Sequence, residues 1–441
     1  MNYDYQNIWR ITAPIVVSMI LMQLINITDV IYLGRVGTVA LGAAGLGSTY
    51  FFAFFTLISG FGFGAQIIIS RRNGEKQYKK IGAVLYQGIS FLLLGAFGLI
   101  ALSCILSPVI LRFMISDDAV ANAALTYIYY RIFGLTAVAF LVMFRSFFVG
   151  IAQTFALQLI SVSMVVFNVI LNYVFIFGCA FIPPLGIKGA AIASVLSEVL
   201  AVLVCIVYMV LKTNLKKYGL KHFVYKDFKL LKSIFGLSFW TMMQQFVSIS
   251  TWFLFFIAIE RLGTEELAIS NILKNSAGIP WIVVIAFAAS AGTITGNLIG
   301  EGRSNEVLKA TQNVIRLNTR VLLGLLFLFG VFYYPILRIY TNNTQLIEKA
   351  ILPYLTALLC YIPLFSGFIW FQNVSATGNA RYSMFIEFIA MIFYMLFVGV
   401  VIYRMQMPLY ICMLADGVYN LIVFLISYQF MRSMKWMGKK V

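Results

Sequence analysis

The chain has 441 residues, 62% of them hydrophobic and only 11% charged, with a mean hydropathy of +0.94, so it lacks the polar residues a water-soluble fold of this size needs to cover its surface. Its formal charge of +17 would point to nucleic acid in a soluble protein, but the cations lie in short stretches between apolar runs, where they set membrane orientation instead. A soluble domain and a nucleic-acid binder are both excluded, and an integral membrane protein remains.

From Ile8 to Phe430 apolar runs follow one after another. Crossing roughly 30 Å of hydrocarbon takes about 20 helical residues, and lipid leaves backbone groups no partner outside the segment, so each run reads as a helix. In chain order the predicted spans are 8–33, 44–69, 81–112, 122–147, 157–179, 187–211, 233–260, 266–297, 311–340, 349–375, 382–404 and 408–431. The first run is too long for the apolar core of a signal peptide and leads straight into another span, so it is expected to stay in the mature protein. Pro14, Pro280 and Pro363 are candidates to kink their spans, and the 33 glycines suit close helix packing.

Twelve crossings put both termini on one side. Alternate connections are basic: the Arg71–Lys80 loop, the long Lys212–Lys232 link, the Arg303–Arg320 region and the tail Lys435–Lys440. Those between are acidic or neutral, including Ser116-Asp117-Asp118 and Asn342-Asn343-Thr344. The positive-inside rule then makes both termini cytoplasmic in a cell (plasma or inner) membrane.

The link, carrying Lys216, Lys217, Lys221, His222, Lys226 and Lys229, divides the chain into an N-terminal six-helix lobe at 1–211, a basic cytoplasmic linker at 212–232 and a C-terminal six-helix lobe at 233–441. Arg35-Val36-Gly37-Thr38 recurs as Arg261-Leu262-Gly263-Thr264, and Gly74-Glu75 as Gly300-Glu301, both at an offset of 226 residues. Two matches in one register argue for duplication. Because six is even, both halves enter from the same side, giving an all-α membrane fold of about twelve helices with a pseudo-twofold along the membrane normal. The cleft between the lobes is then the expected substrate path.

The five cysteines, Cys104, Cys179, Cys205, Cys360 and Cys412, lack metal-binding spacing and read as small packing residues. No cofactor is expected.

Ionisable and amide groups inside spans are costly, so each prompts a functional reading. Asp29 lies near the outer end of the first span, about six steps of 1.5 Å from Arg35, and by itself reads as a carboxylate that reaches water or pairs with that arginine. Asn168 and Asn172 share one face of the fifth span, as Ser194 and Glu198 do of the sixth. Asp29, Asn172 and Ser194 all fall in the outer half of the first lobe and are expected to converge in one polar cavity. In the second lobe Gln244, Gln245 and Ser248, then Ser366, Gln372 and Asn373, can line a polar path. Asp416 sits near mid-depth of the last span, flanked by Gly417, Tyr419 and Asn420, and is a further candidate. Lys274 and Glu387 read as structural ion-pair or snorkelling residues; Arg131 and Arg145 receive no assignment. The 40 Phe, 24 Tyr and 18 Met suit a soft pocket for apolar cations, though most must face lipid or pack between helices.

The run from Asp29 to Gly47, DVIYLGRVGTVALGAAGLG, resembles the end of the first helix and start of the second in multidrug and toxic compound extrusion transporters. Gly64-Ala65-Gln66, Asn168-Val169-Ile170-Leu171-Asn172, Gly189-Ala190-Ala191-Ile192-Ala193-Ser194, Gly296-Asn297-Leu298-Ile299-Gly300-Glu301-Gly302 and Ala376-Thr377-Gly378-Asn379 extend the resemblance over nearly the whole chain. It implies a V-shaped pair of six-helix lobes, alternating access, and export of amphipathic, often cationic small molecules against inward flow of H+ or Na+. It also implies that Asp29 binds the coupling ion, with Asn168, Asn172, Ser194 and Glu198 around it and Asp29, Asn168 and Asn172 available to Na+. The chain departs from the family pattern at Asn172, where an aspartate is frequent, and at Ser194, where a threonine is. An amide has no proton to exchange, so a relay of two aspartates is in doubt. Glu198, where the family usually has a neutral polar residue, either restores the missing acid or serves helix packing. The carboxylates that one family branch uses in spans seven and ten have no match, which leaves Gln245, Ser248, Gln372, Asn373 and Asp416 as substrate-path candidates.

The reading is therefore a secondary antiporter, monomeric, with a small-molecule substrate, membrane lipid around it and no nucleic acid. The alternative is a flippase for a lipid-linked precursor, which an arginine-rich cavity would favour. An enzyme is not expected, because His222 is the only histidine and no paired acids stand out. A channel lacks a filter sequence and ATP drive lacks a P-loop.

Overall fold

The computed structural model describes residues 3–115, 117–179, 181–221, 228–341 and 343–438. Ser116, His222, Lys226, Asn342 and the tail residues Lys439 and Lys440 lie outside the described residues. Apart from an isolated bridge between Cys179 and Ile182, the described residues contain no β-structure.

In chain order the α-helices are α1 (Tyr5–Val36), α2 (Thr38–Gly74), α3 (Tyr78–Met114), α4 (Asp118–Arg131), α5 (Gly134–Gly150), α6 (Phe155–Phe177), α7 (Gly186–Lys212), α8 (Phe228–Glu260), α9 (Thr264–Ser276), α10 (Gly278–Gly300), α11 (Val307–Val331), α12 (Tyr333–Tyr340), α13 (Thr344–Leu359), α14 (Tyr361–Ala376), α15 (Ala380–Val398), α16 (Leu409–Cys412) and α17 (Leu414–Arg432). Eleven of the described segments are long and apolar enough to cross a membrane, and the pair α4–α5, bent by 52°, would make a twelfth. The predicted spans are thus recovered, several of them broken.

Three of the breaks have one cause. Proline lacks the N–H that would bond the carbonyl four residues back, and its ring crowds that carbonyl. α9 ends at Ser276, four before Pro280; α11 ends at Val331, four before Pro335; α13 ends at Leu359, four before Pro363. Pro14, Pro108 and Pro353 instead lie inside continuous helices, so the proline permits the break and packing decides whether it happens. The α4–α5 break has no proline.

The packing divides into two units, Pro14–Ser238 and Met1–Ala13 with Phe239–Val441. In the first, α2 packs on α3, α4 and α5, and α6 runs along α7. The described part of the link folds onto the start of α3, where Gly82 N–H donates to the Tyr218 carbonyl at 2.9 Å and the Tyr86 hydroxyl to that of Leu220 at 2.6 Å. In the second unit, α14 lies between α10 and α17, α15 packs on α17, and a core of Phe255, Ile269, Leu337, Tyr354 and Met413 fills one end. The first residues of α1 belong here: Thr12 Oγ1 donates to Ser290 Oγ at 2.9 Å, and the Trp9 ring lies 6.2 Å from that of Phe287.

The duplication is written in the backbone. Left-handed residues recur 226 positions apart: Gly37 and Gly263 (φ 150° and 140°), Lys76 and Gly302 (58° and 75°), Ala152 and Gly378 (59° and 87°). Two of the three pairs keep glycine in only one half, so the turn geometry outlived the residue best suited to it.

Candidate functional site

The unit Pro14–Ser238 gathers the expected first-lobe residues around two carboxylates. α1 carries Asp29, half-buried, and α6 carries Asn168 and Asn172, both fully buried. Asn172 Nδ2 donates to Asp29 Oδ1 at 2.6 Å and to Asn168 Oδ1 at 2.9 Å, so one amide spans the cluster. Its two donors are then used, while its own Oδ1 and Asn168 Nδ2 are buried without a partner. A buried acceptor and a buried donor left open beside a carboxylate cost free energy unless something is held there for part of the working cycle. Among the described residues no group of three or more His, Cys, Asp or Glu could hold a metal. The oxygens of Asp29, Asn168 and Asn172 supply one negative charge and amide carbonyls, a donor set suited to a hard monovalent ion or a proton and too weakly charged for a divalent one.

Glu198 is not a member of that cluster. It sits 3% exposed on α7 and takes a bidentate pair from Arg131 at the end of α4, with Nη1 to Oε2 at 2.9 Å and Nη2 to Oε1 at 2.6 Å. The Arg131 guanidinium also lies 3.8 Å over the Phe51 ring. A Cβ on Gly134 would collide with Arg131 Nη1 and Glu198 Oε2, which explains a glycine one residue beyond the α4–α5 break. Ser194 is buried one turn before Glu198 and its carbonyl accepts from Ser197 Oγ at 2.8 Å; none of its bonds reaches Asp29. Of the three groups expected to converge, Asp29 and Asn172 meet, with Asn168 beside them, while Ser194 stays apart and Glu198 neutralises an arginine. Among the described residues Arg145 on α5 has only a weak contact, 3.9 Å from Nη2 to Met19 Sδ.

In the other unit Ser248 and Asp416 join a partly buried polar network. The Lys274 ammonium pairs with Asp416 Oδ2 at 2.6 Å and lies 4.2 Å over Trp252 and 5.0 Å over Phe255. Tyr394 donates to Asp416 Oδ1 at 3.4 Å, and its ring meets that of Tyr419 edge-on at 6.2 Å. The Tyr419 hydroxyl donates to Glu387 Oε1 at 2.5 Å, and Ser248 Oγ donates to the same oxygen. Among the described residues Glu387 thus stands in no ion pair, and it is fully buried, unlike the ion-pair or snorkelling role expected for it. The remaining path candidates lie elsewhere. Asn373 is buried and donates to Thr311 Oγ1 at 2.7 Å, while Gln372, beside Gly292, and Gln245 are half-buried. Sequence reading passed over Arg131, Tyr394 and Trp252; the spacings Glu387–Tyr394 and Asp416–Tyr419, seven and three residues, were the available signal.

With this geometry in hand, the MatE family model matches residues 14–174 and again residues 241–401. The chain belongs to the MatE family. The probable multidrug resistance protein NorM of Pasteurella multocida is 24% identical over 342 residues, covering 77% of this chain and 74% of its own. The probable NorM of Thermotoga maritima is 24% identical over 392 residues, covering 86% and 82%. Among solved structures, a MOP superfamily transporter from Pyrococcus furiosus Vc1 superposes with a TM-score of 0.89 at 19% identity over 98% of this chain and 96% of that one. A mutant of the Vibrio cholerae MATE transporter VcmN does so with 0.87 at 16% over 98% of both. These likenesses carry the fold. A MatE chain is a multi-pass membrane transporter and not an enzyme, as the resemblance read from the sequence implied, and the double match to one family model falls once in each half of the internal duplication.

Proposed function

We propose that this MatE transporter is an antiporter that exports amphipathic, cationic small molecules in exchange for H+ or Na+, taken up at Asp29 with Asn172 and Asn168. Its two six-helix lobes, 1–211 and 233–441, are joined by the basic link 212–232, and it works as a monomer in the cell membrane with both termini cytoplasmic. The observation that supports this reading is the Asp29–Asn172–Asn168 chain with its open Oδ1 and Nδ2 groups, lying in a chain whose relatives are named for multidrug resistance. An ion on Asp29 competes with the Asn172 donor, so loading and unloading change how α1 is tied to α6. The 2.6 Å bond between them is the first to go.

The test is efflux of ethidium, a cationic dye, from proteoliposomes under separately imposed proton and sodium gradients. One gradient drives wild-type efflux, and Asp29→Asn abolishes gradient-driven efflux at normal protein level and dye binding. Asp29→Asn transport equal to wild type refutes the assignment.

A further inference from the structure

Glu387 is the most completely buried carboxylate of the unit Met1–Ala13 with Phe239–Val441, at 0% exposure on α15. Its two oxygens differ. Oε1 receives Tyr419 from α17 and Ser248 from α8, whereas Oε2 is buried with no partner among the described residues. Among those residues no lysine or arginine comes within 4.0 Å of it, since all the ion pairs present join other groups.

The other titratable groups nearby are committed elsewhere. Asp416 of α17 is held by Lys274 of α9, and Tyr394, on the same helix as Glu387, donates to Asp416. Tyr361 of α14 donates to the Ala277 carbonyl at 2.8 Å. An isolated negative charge at this depth costs several kcal/mol. Two donors on Oε1 offset part of that cost, and the open Oε2 is where a proton removes the rest.

We infer that Glu387 is a proton-binding site of this unit, taking a proton on Oε2 and returning it to water during the transport cycle, with Tyr419 and Ser248 holding its ionised form. The inference deepens the ion-coupled reading above by adding a proton site outside the Asp29 cluster. The neutral acid is a weaker acceptor, so protonation loosens the ties from α15 to α8 and α17. Tyr419 and Tyr394 place that change beside Asp416 and Lys274, whose cation rests on Trp252 and Phe255. No substrate bond is made or broken, and the proton comes from and returns to the aqueous phase.

The experiment is pH-difference infrared spectroscopy on the intact protein reconstituted in lipid, which reads the C=O stretch of protonated carboxyl groups. Wild type should show a protonated-carboxyl band that disappears reversibly as pH rises. Glu387→Gln should remove that band and Glu387→Asp should restore one, while Tyr419→Phe and Ser248→Ala, which keep the carboxyl, should shift its frequency because a hydrogen bond to Oε1 is lost. Asp29→Asn should leave it in place. A spectrum unchanged by Glu387→Gln, or a Glu387 band that persists at every pH, overturns the inference. Failure of the Asp29 assignment appears separately, as normal ethidium efflux in Asp29→Asn with the Glu387 band still titrating.

Discussion

Glu198 is most sharply tested by removing its charge. Its pair with Arg131 has two hydrogen bonds, 2.9 and 2.6 Å, and side chains only 4% and 13% exposed. Glu198→Gln keeps the shape and strands a buried guanidinium. Breaking such a pair from one side costs about 3–5 kcal/mol, from which the Phe51 ring beneath Arg131 recovers about 1 kcal/mol. Replacing both members, Arg131→Met with Glu198→Met, removes both charges and should return to within about 1 kcal/mol of wild type, since well-packed apolar residues substitute for buried pairs at little cost. The cycle is read by reversible unfolding of the purified protein in mixed micelles, where the coupling between the two positions should exceed about 2 kcal/mol. Transport should follow the same pattern. The guanidinium released in Glu198→Gln stays largely buried in the unit that carries Asp29, so ethidium efflux falls in the single variant and recovers in the double one. A Glu198→Gln cost under about 1 kcal/mol, or a double variant as unstable as the summed singles, refutes the neutralising role.

Other substitutions probe the turns, the break and the topology. Gly378→Ala places a Cβ in left-handed backbone (φ 87°) and should cost about 1–2 kcal/mol, while Ala152→Gly, at the equivalent turn of the other half, should be neutral within about 0.5 kcal/mol because relief of strain offsets added chain entropy; both are read as unfolding midpoints. Gly134→Ala should lower stability by about 1–3 kcal/mol by pushing Arg131 off Glu198, and Gly134→Ala in the Arg131→Met, Glu198→Met background should cost clearly less. Single cysteines at Tyr78 and Asp117 in a cysteine-free background should label from opposite sides of the membrane with an impermeant maleimide; labelling from the same side refutes the assigned topology.

The helical class, the number of crossings and the duplication were legible in the sequence, because lipid allows a long apolar run no other backbone solution and because a repeated register survives in short motifs such as Arg35-Val36-Gly37-Thr38 and Arg261-Leu262-Gly263-Thr264. Asp29, Asn168 and Asn172 were legible as well: the two amides share a helical face, and a carboxylate inside a span needs a partner. What the sequence left open was which partner. Arg131 lies 67 residues from Glu198, and Lys274 lies 142 from Asp416; no periodicity reports such distances, and each pairing exists only because helices far apart in the chain pack side by side. The same holds for the prolines. Every one removes a hydrogen bond, but only packing determined that the helix stops ahead of Pro280, Pro335 and Pro363 and runs on through Pro14, Pro108 and Pro353. The sequence determined which groups are expensive in lipid. Tertiary structure decided which of them are neutralised by a neighbour and which, like Glu387 Oε2 and the open amide groups beside Asp29, are buried with no hydrogen-bond partner among the described residues.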